Sequence, residues 1–521
     1  MTVRIGARAI GWLLALATTA GVLAYGQDVG IARDEVVYMN AAPRYAEFWL
    51  GLGKGGIAGT FGGALGGANN PEHPPLVKTL SGFSHWLVHD KLHLAGELVA
   101  FRLPNALLHG LCVALVYFMA LELWGLAEAV LAALCLALLP RALFHASLDC
   151  FDAPIMTLWF ATVYAYWRCL DGRKWPWQVG IAWGLALATK HTALLLPIAL
   201  AVHYVVLAVR ARDPLRRWRV VVSLAVLGPA VLVALWPLLW LHPIGGVQAW
   251  INFHLHHVHY NYEYLGHNWN APPFPWHVAL VTTLFTVPTA TLVAAVIGTI
   301  VLVRTRAERD ARSPALLLLL SAVASIGPFF LGTTPIFGAE KHWMPILPSL
   351  CIAAGVGAAW AARRAATVIK REKLALAIVG GALALAGATE TITAEPYALT
   401  WYSALAGGGP GGADLGMNRQ FWGVAARGVL PIVAAQPPGP VYTHDASPAW
   451  SWYERFGLLP KGHPDAGHET AGIAVSKLAL VIHEKHFNRH DYLIWKSYGT
   501  VQPFYVLRAD GVPIVSLYKR P

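Results

Sequence analysis

The chain has 521 residues, of which 56% are hydrophobic and only 13% charged, and its formal net charge is +11. So apolar a composition excludes a soluble globular protein. The placement of the basic residues, between apolar runs rather than on one face, excludes nucleic acid as the partner that the net charge would otherwise suggest.

Runs of about 20 apolar residues can cross about 30 Å of hydrocarbon as helices. Eleven are predicted: 8–26, 103–123, 126–142, 152–169, 177–190, 191–209, 219–241, 277–303, 313–332, 342–361 and 373–391. The first follows Arg4 and Arg8 but has no convincing small-residue cleavage site after it, so it reads as a span and not as a signal peptide. Alternate gaps are basic, with Arg168, Arg173 and Lys174 in one, Arg210 to Arg219 in the next, Arg304 to Arg312 in a third and Arg363 to Lys373 in a fourth. The gap 242–277 has no Lys or Arg. Cytoplasmic loops carry such an excess of Lys and Arg. The pattern places the N-terminus in the cytosol, and the loops 27–102, 141–152, 242–277 and 333–342, with everything after 392, on the outer side.

The five cysteines, Cys112, Cys135, Cys150, Cys169 and Cys351, lie in or beside these runs without a CxxC pair, so no disulfide framework or thiolate metal site is expected. The first outer loop is long. Its glycine-rich middle, 51–67, lacks the GK[ST] ending of a phosphate loop and reads as a connector. Residues 76–93 alternate apolar and basic, as an interfacial amphipathic helix would. From 392 onwards the pattern changes to short strands (439–444 and 478–484), a helix (449–457) and two β-rich runs around Asp510-Gly511. The expected fold class is therefore mainly α and polytopic, with about 11 transmembrane helices over 1–391 and a small α/β extracytoplasmic domain over 392–521. No internal repeat is visible.

Three outer clusters could carry chemistry. The first is RDEVVYMNAA, 33–42. Adjacent residues on a helix point about 100° apart, so one of Asp34 and Glu35 can face a cavity while the other makes a local contact. The plainer reading is a pair of acids placed against a helix dipole. The second is NNPEHPPLVKTL, 69–80. Pro74 and Pro75 stop a helix and hold Glu72 and His73 extended at its start, and Lys78 could simply snorkel. The third is a set of cations at outer helix ends: Arg102, Lys190 with His191, and Lys341 with His342. Each could be an interfacial anchor. Gathered at one mouth opposite acids, they would suit an anionic headgroup. The gap 242–277 adds seven histidines, but Glu263 is its only acid at a convincing ligand spacing. It reads as an aromatic, His-rich segment lying over a cavity. No cofactor is required on these grounds; a divalent metal is possible but unsupported.

Taken together, D-E-x-x-Y at 34–38, E-H-P-P-L-x-K at 72–78, R-L-P-N-A-L at 102–107, G-L-A-L-A-T-K-H at 184–191 and K-H-W-M-P-I-L-P-S at 341–349 resemble the GT-C membrane glycosyltransferases that use polyprenyl-phosphate sugars. That group includes the protein O-mannosyltransferases and the lipid A aminoarabinose transferases. The stretch W-Y-S-A-L-A-G-G-G-P-G-G-A, 401–413, resembles a segment of bacterial members with an outer C-terminal domain. The resemblance implies an enzyme of the bacterial inner membrane with its active site on the periplasmic side. Its partners would be the bilayer, a lipid-linked sugar donor, and a protein, lipid or glycan acceptor. It implies Asp34 as catalytic base, with Glu72 in the catalytic set. It implies His73 near donor and acceptor and Lys341 on the lipid phosphate, and the outer clusters add Glu35, Lys78, Arg102, Lys190 and His342 as expected substrate-binding residues. Many relatives have Arg-Tyr where this chain has Lys341-His342. The rival is a transporter for a lipid-linked or small anionic substrate. Transporters place charges at mid-membrane in broken helices, often in repeated halves, whereas here the acids lie in an outer loop.

Overall fold

The structure, a computed structural model, describes all residues except 1, 52, 53, 62–69, 171–174, 212–216 and 305–310. Much of the glycine-rich connector, Asn69 and parts of three of the basic gaps lie outside the described residues.

Among those residues, seven helices are long and apolar enough to cross a membrane, or nine if each of two bent pairs counts as one span. This differs from the expected eleven, for two reasons. Asp152–Cys169 begins on an acid, ends beside Arg168 and is rich in Tyr and Trp, so its hydropathy falls short although most of its side chains are buried by protein. Trp177–Leu187 is only 11 residues long and stops before Lys190. The bent pairs break next to proline, which lacks an N–H and restricts the residue before it. Leu126–Ala137 turns by 65° into Pro140–Ala146, and Val278–Thr286 turns by 118° into Thr289–Arg304. Helix Thr289–Arg304 packs closely on Leu347–Ile369 where Gly298 and Gly357 face Ala353 and Ala294. A Cβ at either glycine would strike the opposite backbone, as is usual for small residues between membrane helices.

The first outer loop opens with helix α1 (Arg33–Leu50) and later forms α2 (Leu76–Ser84), which runs on as a π-helical stretch, His85–Lys91. Helix α3 (Glu97–Leu123) then enters the bundle. The His-rich gap forms a helix, Pro243–Leu255, and a hairpin of β1 (Tyr262–Tyr264) and β2 (His267–Trp269).

Beyond Ala394 lies a four-stranded sheet in the order β3-β4-β6-β5. Strand β3 (Val441–Tyr442) pairs parallel with β4 (Leu478–Ile482). Strands β5 (Tyr505–Ala509) and β6 (Val512–Lys519) form a hairpin whose turn residues, Asp510 and Gly511, both have positive φ, as a two-residue turn matching strand twist requires. One face of this sheet packs within the tail, where Tyr442, Val481 and Tyr518 meet Ile473, Ile494 and Tyr498, and the other face shares its core with the rest of the chain. There Trp450, Tyr453, Leu480 and Val515 pack with Ile31, Val36, Met39 and Phe101 of the first loop and α3. Polar contacts reinforce the join. The Tyr453 hydroxyl accepts the Ile31 N–H at 2.9 Å, and Arg33 pairs with Asp445 at 2.9 Å. The tail thus clamps the N-terminus of α1, the segment that carries Asp34 and Glu35.

Candidate active site

At the start of α1 the two adjacent acids separate as their spacing predicts. Glu35 turns inward and is fully buried. Its Oε1 accepts Arg102 Nε at 2.7 Å and the Asp149 N–H at 2.8 Å. Its Oε2 accepts Arg102 Nη2 at 2.8 Å and the Ala32 N–H at 3.2 Å. The remaining donors of Arg102 go to the carbonyls of Gly26, Val29 and Gly30. A guanidinium has five N–H donors, and all five are used. Glu35 and Arg102, expected to bind substrate, therefore have nothing left to offer one; they brace the loop before α1.

Asp34 faces the mouth, with 30% of its side chain exposed, and its Oδ2 lies 3.2 Å from Lys341 Nζ. The Lys341 ammonium sits over the rings of Trp422 (4.1 Å) and Phe337 (5.0 Å), an aromatic box that holds a cation without neutralising it. Arg33 Nε stands 4.0 Å from the other Asp34 oxygen, and the Arg33 guanidinium is anchored by Asp445. Burial raises the Asp445 carboxyl above its usual range, against the pull of Arg33. Lys190 comes to the same place. Its Nζ donates to Asp152 at 2.7 Å and to the Lys341 carbonyl at 3.4 Å.

The turn around residue 72 is held by its own hydrogen bonds. Asn70, at φ 46°, donates from Nδ2 to Glu72 Oε1 at 2.7 Å. Lys78 does not snorkel. It is buried, and its three donors go to Asn70 O (2.6 Å), Asn70 Oδ1 (3.2 Å) and His73 O (2.9 Å). It departs from the expected substrate contact in the same way as Arg102 does, because no N–H is left over. Burial pulls its pKa down to about 7, against the opposing effect of Glu72. The His73 ring packs on Phe151 (4.8 Å) and His254 (5.3 Å), and its Nδ1 is buried without a partner. Burial, then His254, Lys78 and Lys190, keep it neutral. His254 in turn stacks on His191 at 3.7 Å, so the helix Pro243–Leu255 roofs the Lys190 side. His342 bonds the Phe337 carbonyl, and burial with Lys190 and Lys341 holds it neutral. It cannot act as a second cation there.

Sequence reasoning missed the acids of LDCFDAP, 148–154. Asp152 is the partner of Lys190. Asp149 accepts the Ser81 hydroxyl at 2.5 Å, and burial pushes its carboxyl well above the usual range. Two acids inside an apolar outer gap were a usable signal. Glu340 was also missed. It pairs with Arg141 at 2.9 Å, and Arg141 reaches on to the carbonyls of Leu399 and Trp401, tying the tail to the bundle. Burial would raise the Glu340 carboxyl, but Arg141 and then His145 outweigh it and hold its pKa at about 2. Its ordinary value is 4.5. The stability this gives is complete above pH 4.5 and is lost as the pH falls through 2. Unfolding followed from pH 4.5 down to 2 will show that loss in the wild type, and Glu340→Gln will flatten it.

The chain resembles solved structures in fold over nearly its whole length and a family model in sequence over part of it. Residues 72–240 match the family model described as dolichyl-phosphate-mannose-protein mannosyltransferase. Among solved structures, the chain matches ArnT from Cupriavidus metallidurans in the apo state, at 15% identity and TM-score 0.55 with 98% of each chain covered. It matches the same protein bound to undecaprenyl phosphate at 15% identity and TM-score 0.53, with 97% of each chain covered. None of the curated proteins matches the sequence significantly.

Proposed function

We propose that the protein moves a sugar from a polyprenyl-phosphate donor to an acceptor hydroxyl on a protein, lipid A or another glycan, with inversion at the anomeric carbon. The observation that carries this is the 3.2 Å pairing of the partly exposed Asp34 with the buried Lys341. Lys341 and Lys190 are the cations for the lipid phosphate. When that phosphate takes up Lys341, Asp34 is released to accept the acceptor's proton. The acceptor oxygen then attacks the anomeric carbon, the bond to the phosphate oxygen breaks, and its electron pair leaves with the polyprenyl phosphate. The cations stabilise that developing charge, and the carboxylate is in place for the proton. Glu72 and His73 orient headgroup or acceptor. Glu35, Arg102 and Lys78 hold the framework. The alternation of basic gaps supports a bacterial inner-membrane protein with this mouth and the tail, 392–521, on the periplasmic side.

The test is transfer by the purified enzyme from a polyprenyl-phosphate sugar, with Lys341→Ala as the probe. A cation on the phosphate assists both binding and chemistry. Lys341→Ala will therefore raise the donor KM and lower kcat, with the acceptor KM nearly unchanged. Lys341→Arg will recover part of the loss, because it keeps the charge and changes the geometry. Unchanged donor kinetics in Lys341→Ala would move the phosphate contact elsewhere, with Lys190 next to be tested.

A further inference from the structure

On the far side of the Glu35–Arg102 brace from Asp34, a cavity of about 530 Å³ opens between the first membrane helix, α3 and the tail. His89 and Glu97 line it. One ligating atom from each of His85, His89 and Glu97 lies within 4.8 Å of the other two. The three groups come from two elements, the π-helical stretch and the first turn of α3. The wider π-helical turn sets His89 over His85, with ring centroids 5.3 Å apart, and π-helical segments recur at functional sites.

We propose that His85, His89 and Glu97 form a divalent-metal site, suited to zinc, whose fourth position opens into this cavity. Two of the ligands, His89 and Glu97, already have the hydrogen-bonded outer partner that a metal ligand needs, and His85 stands near an acid. A ligating histidine donates its other ring N–H to a carbonyl or carboxylate, which fixes the tautomer and aims the free lone pair. His89 Nδ1 is 3.1 Å from the Ala95 carbonyl oxygen, which leaves Nε2 as its lone-pair nitrogen. His85 Nδ1 is 3.5 Å from Asp90 Oδ2. Glu97 is held by Arg455, whose Nε donates to Oε2 at 3.0 Å while its Nη2 donates to Oε1. His85 Nε2 and Glu97 Oε1 are 3.1 Å apart. Two ligands at about 2.0–2.1 Å from a tetrahedral zinc are separated by little more than that. Zinc therefore fits between these two atoms with little movement of either side chain. Three protein ligands and an open fourth position distinguish sites that bind an exchangeable group from closed structural ones. Arg427 also lines the cavity, so that group would be water or an anionic oxygen ligand.

The test uses the full chain in detergent, stripped with a chelator, reloaded with zinc and desalted. One zinc per chain is expected in the wild type, and X-ray absorption at the zinc edge should show two imidazole nitrogens and a carboxylate oxygen at about 2.0–2.1 Å. The double variant His85→Ala/His89→Ala should retain none, and His267→Ala, in the exposed hairpin, should retain all. Arg455→Ala should weaken zinc binding about 10–100-fold without changing the saturated count, because it loosens Glu97. A wild type that takes up no zinc overturns the proposal. So does a double variant that keeps it, or zinc lost from the control hairpin variant. The absorption spectrum is read on the wild type, so a different ligand set there refutes the site even if the double variant does not fold.

Discussion

Asp34→Asn will abolish sugar transfer while leaving the fold in place. Asparagine keeps the shape of the side chain, and its carbonyl can still accept from Lys341, now at 3.2 Å from Asp34 Oδ2. The position is 30% exposed, and the Trp422 and Phe337 rings still hold the Lys341 ammonium, so the cost to stability is smaller than for a pair buried on both sides. What the substitution removes is the proton acceptor. A positioned general base contributes roughly 10²–10⁴-fold, so kcat should fall by about a hundredfold or more, with the unfolding curve little changed and the donor KM close to that of the wild type. Near-normal turnover in purified Asp34→Asn would leave Asp34 as no more than an acid placed favourably at the N-terminus of α1.

Arg102→Ala will have its large effect on stability. The substitution strands Glu35, which is fully buried, with only the N–H groups of Ala32 and Asp149 left to it. It also removes the donors to the carbonyls of Gly26, Val29 and Gly30. Breaking a buried ion pair by deleting one partner costs on the order of 3–5 kcal/mol, because an uncompensated charge stays behind. Denaturant or thermal unfolding in detergent should show a loss of that size. Removing both charges together, as Arg102→Met with Glu35→Gln, should recover most of it, since the cost lies in the stranded charge more than in the missing pair. A substrate-binding Arg102 predicts the reverse pattern: normal unfolding of Arg102→Ala and a raised donor KM. The two readings thus separate in one pair of measurements.

Several site features were legible in the sequence. The apolar runs identified most of the membrane helices, since their length and hydropathy are local properties. The Asp510-Gly511 turn between β-rich runs marked the β5–β6 hairpin, because that turn needs residues that tolerate positive φ. Helical geometry separated Asp34 from Glu35 in direction, though not in role. Bends were harder to read. The run 277–303 contains Pro288 in plain view, but the 118° turn there depends on what packs against either side.

What the sequence by itself determined is the chemical inventory: apolar runs, basic gaps alternating with gaps that hold acids, and motifs like those of polyprenyl-phosphate glycosyltransferases. Only the tertiary structure decided which charges are spent on the fold and which remain for a substrate. Arg102, Lys78 and Lys341 look alike as cations beside apolar helices, yet every donor of the first two is taken by nearby carbonyl or carboxylate oxygens, while Lys341 stands in an aromatic box beside an exposed carboxylate. The reason is physical. A cation's role depends on how many of its donors are already satisfied, and those acceptors come from chain segments brought together only by folding. Arg102 meets Glu35, 67 residues away, and Lys341 meets Asp34, 307 residues away.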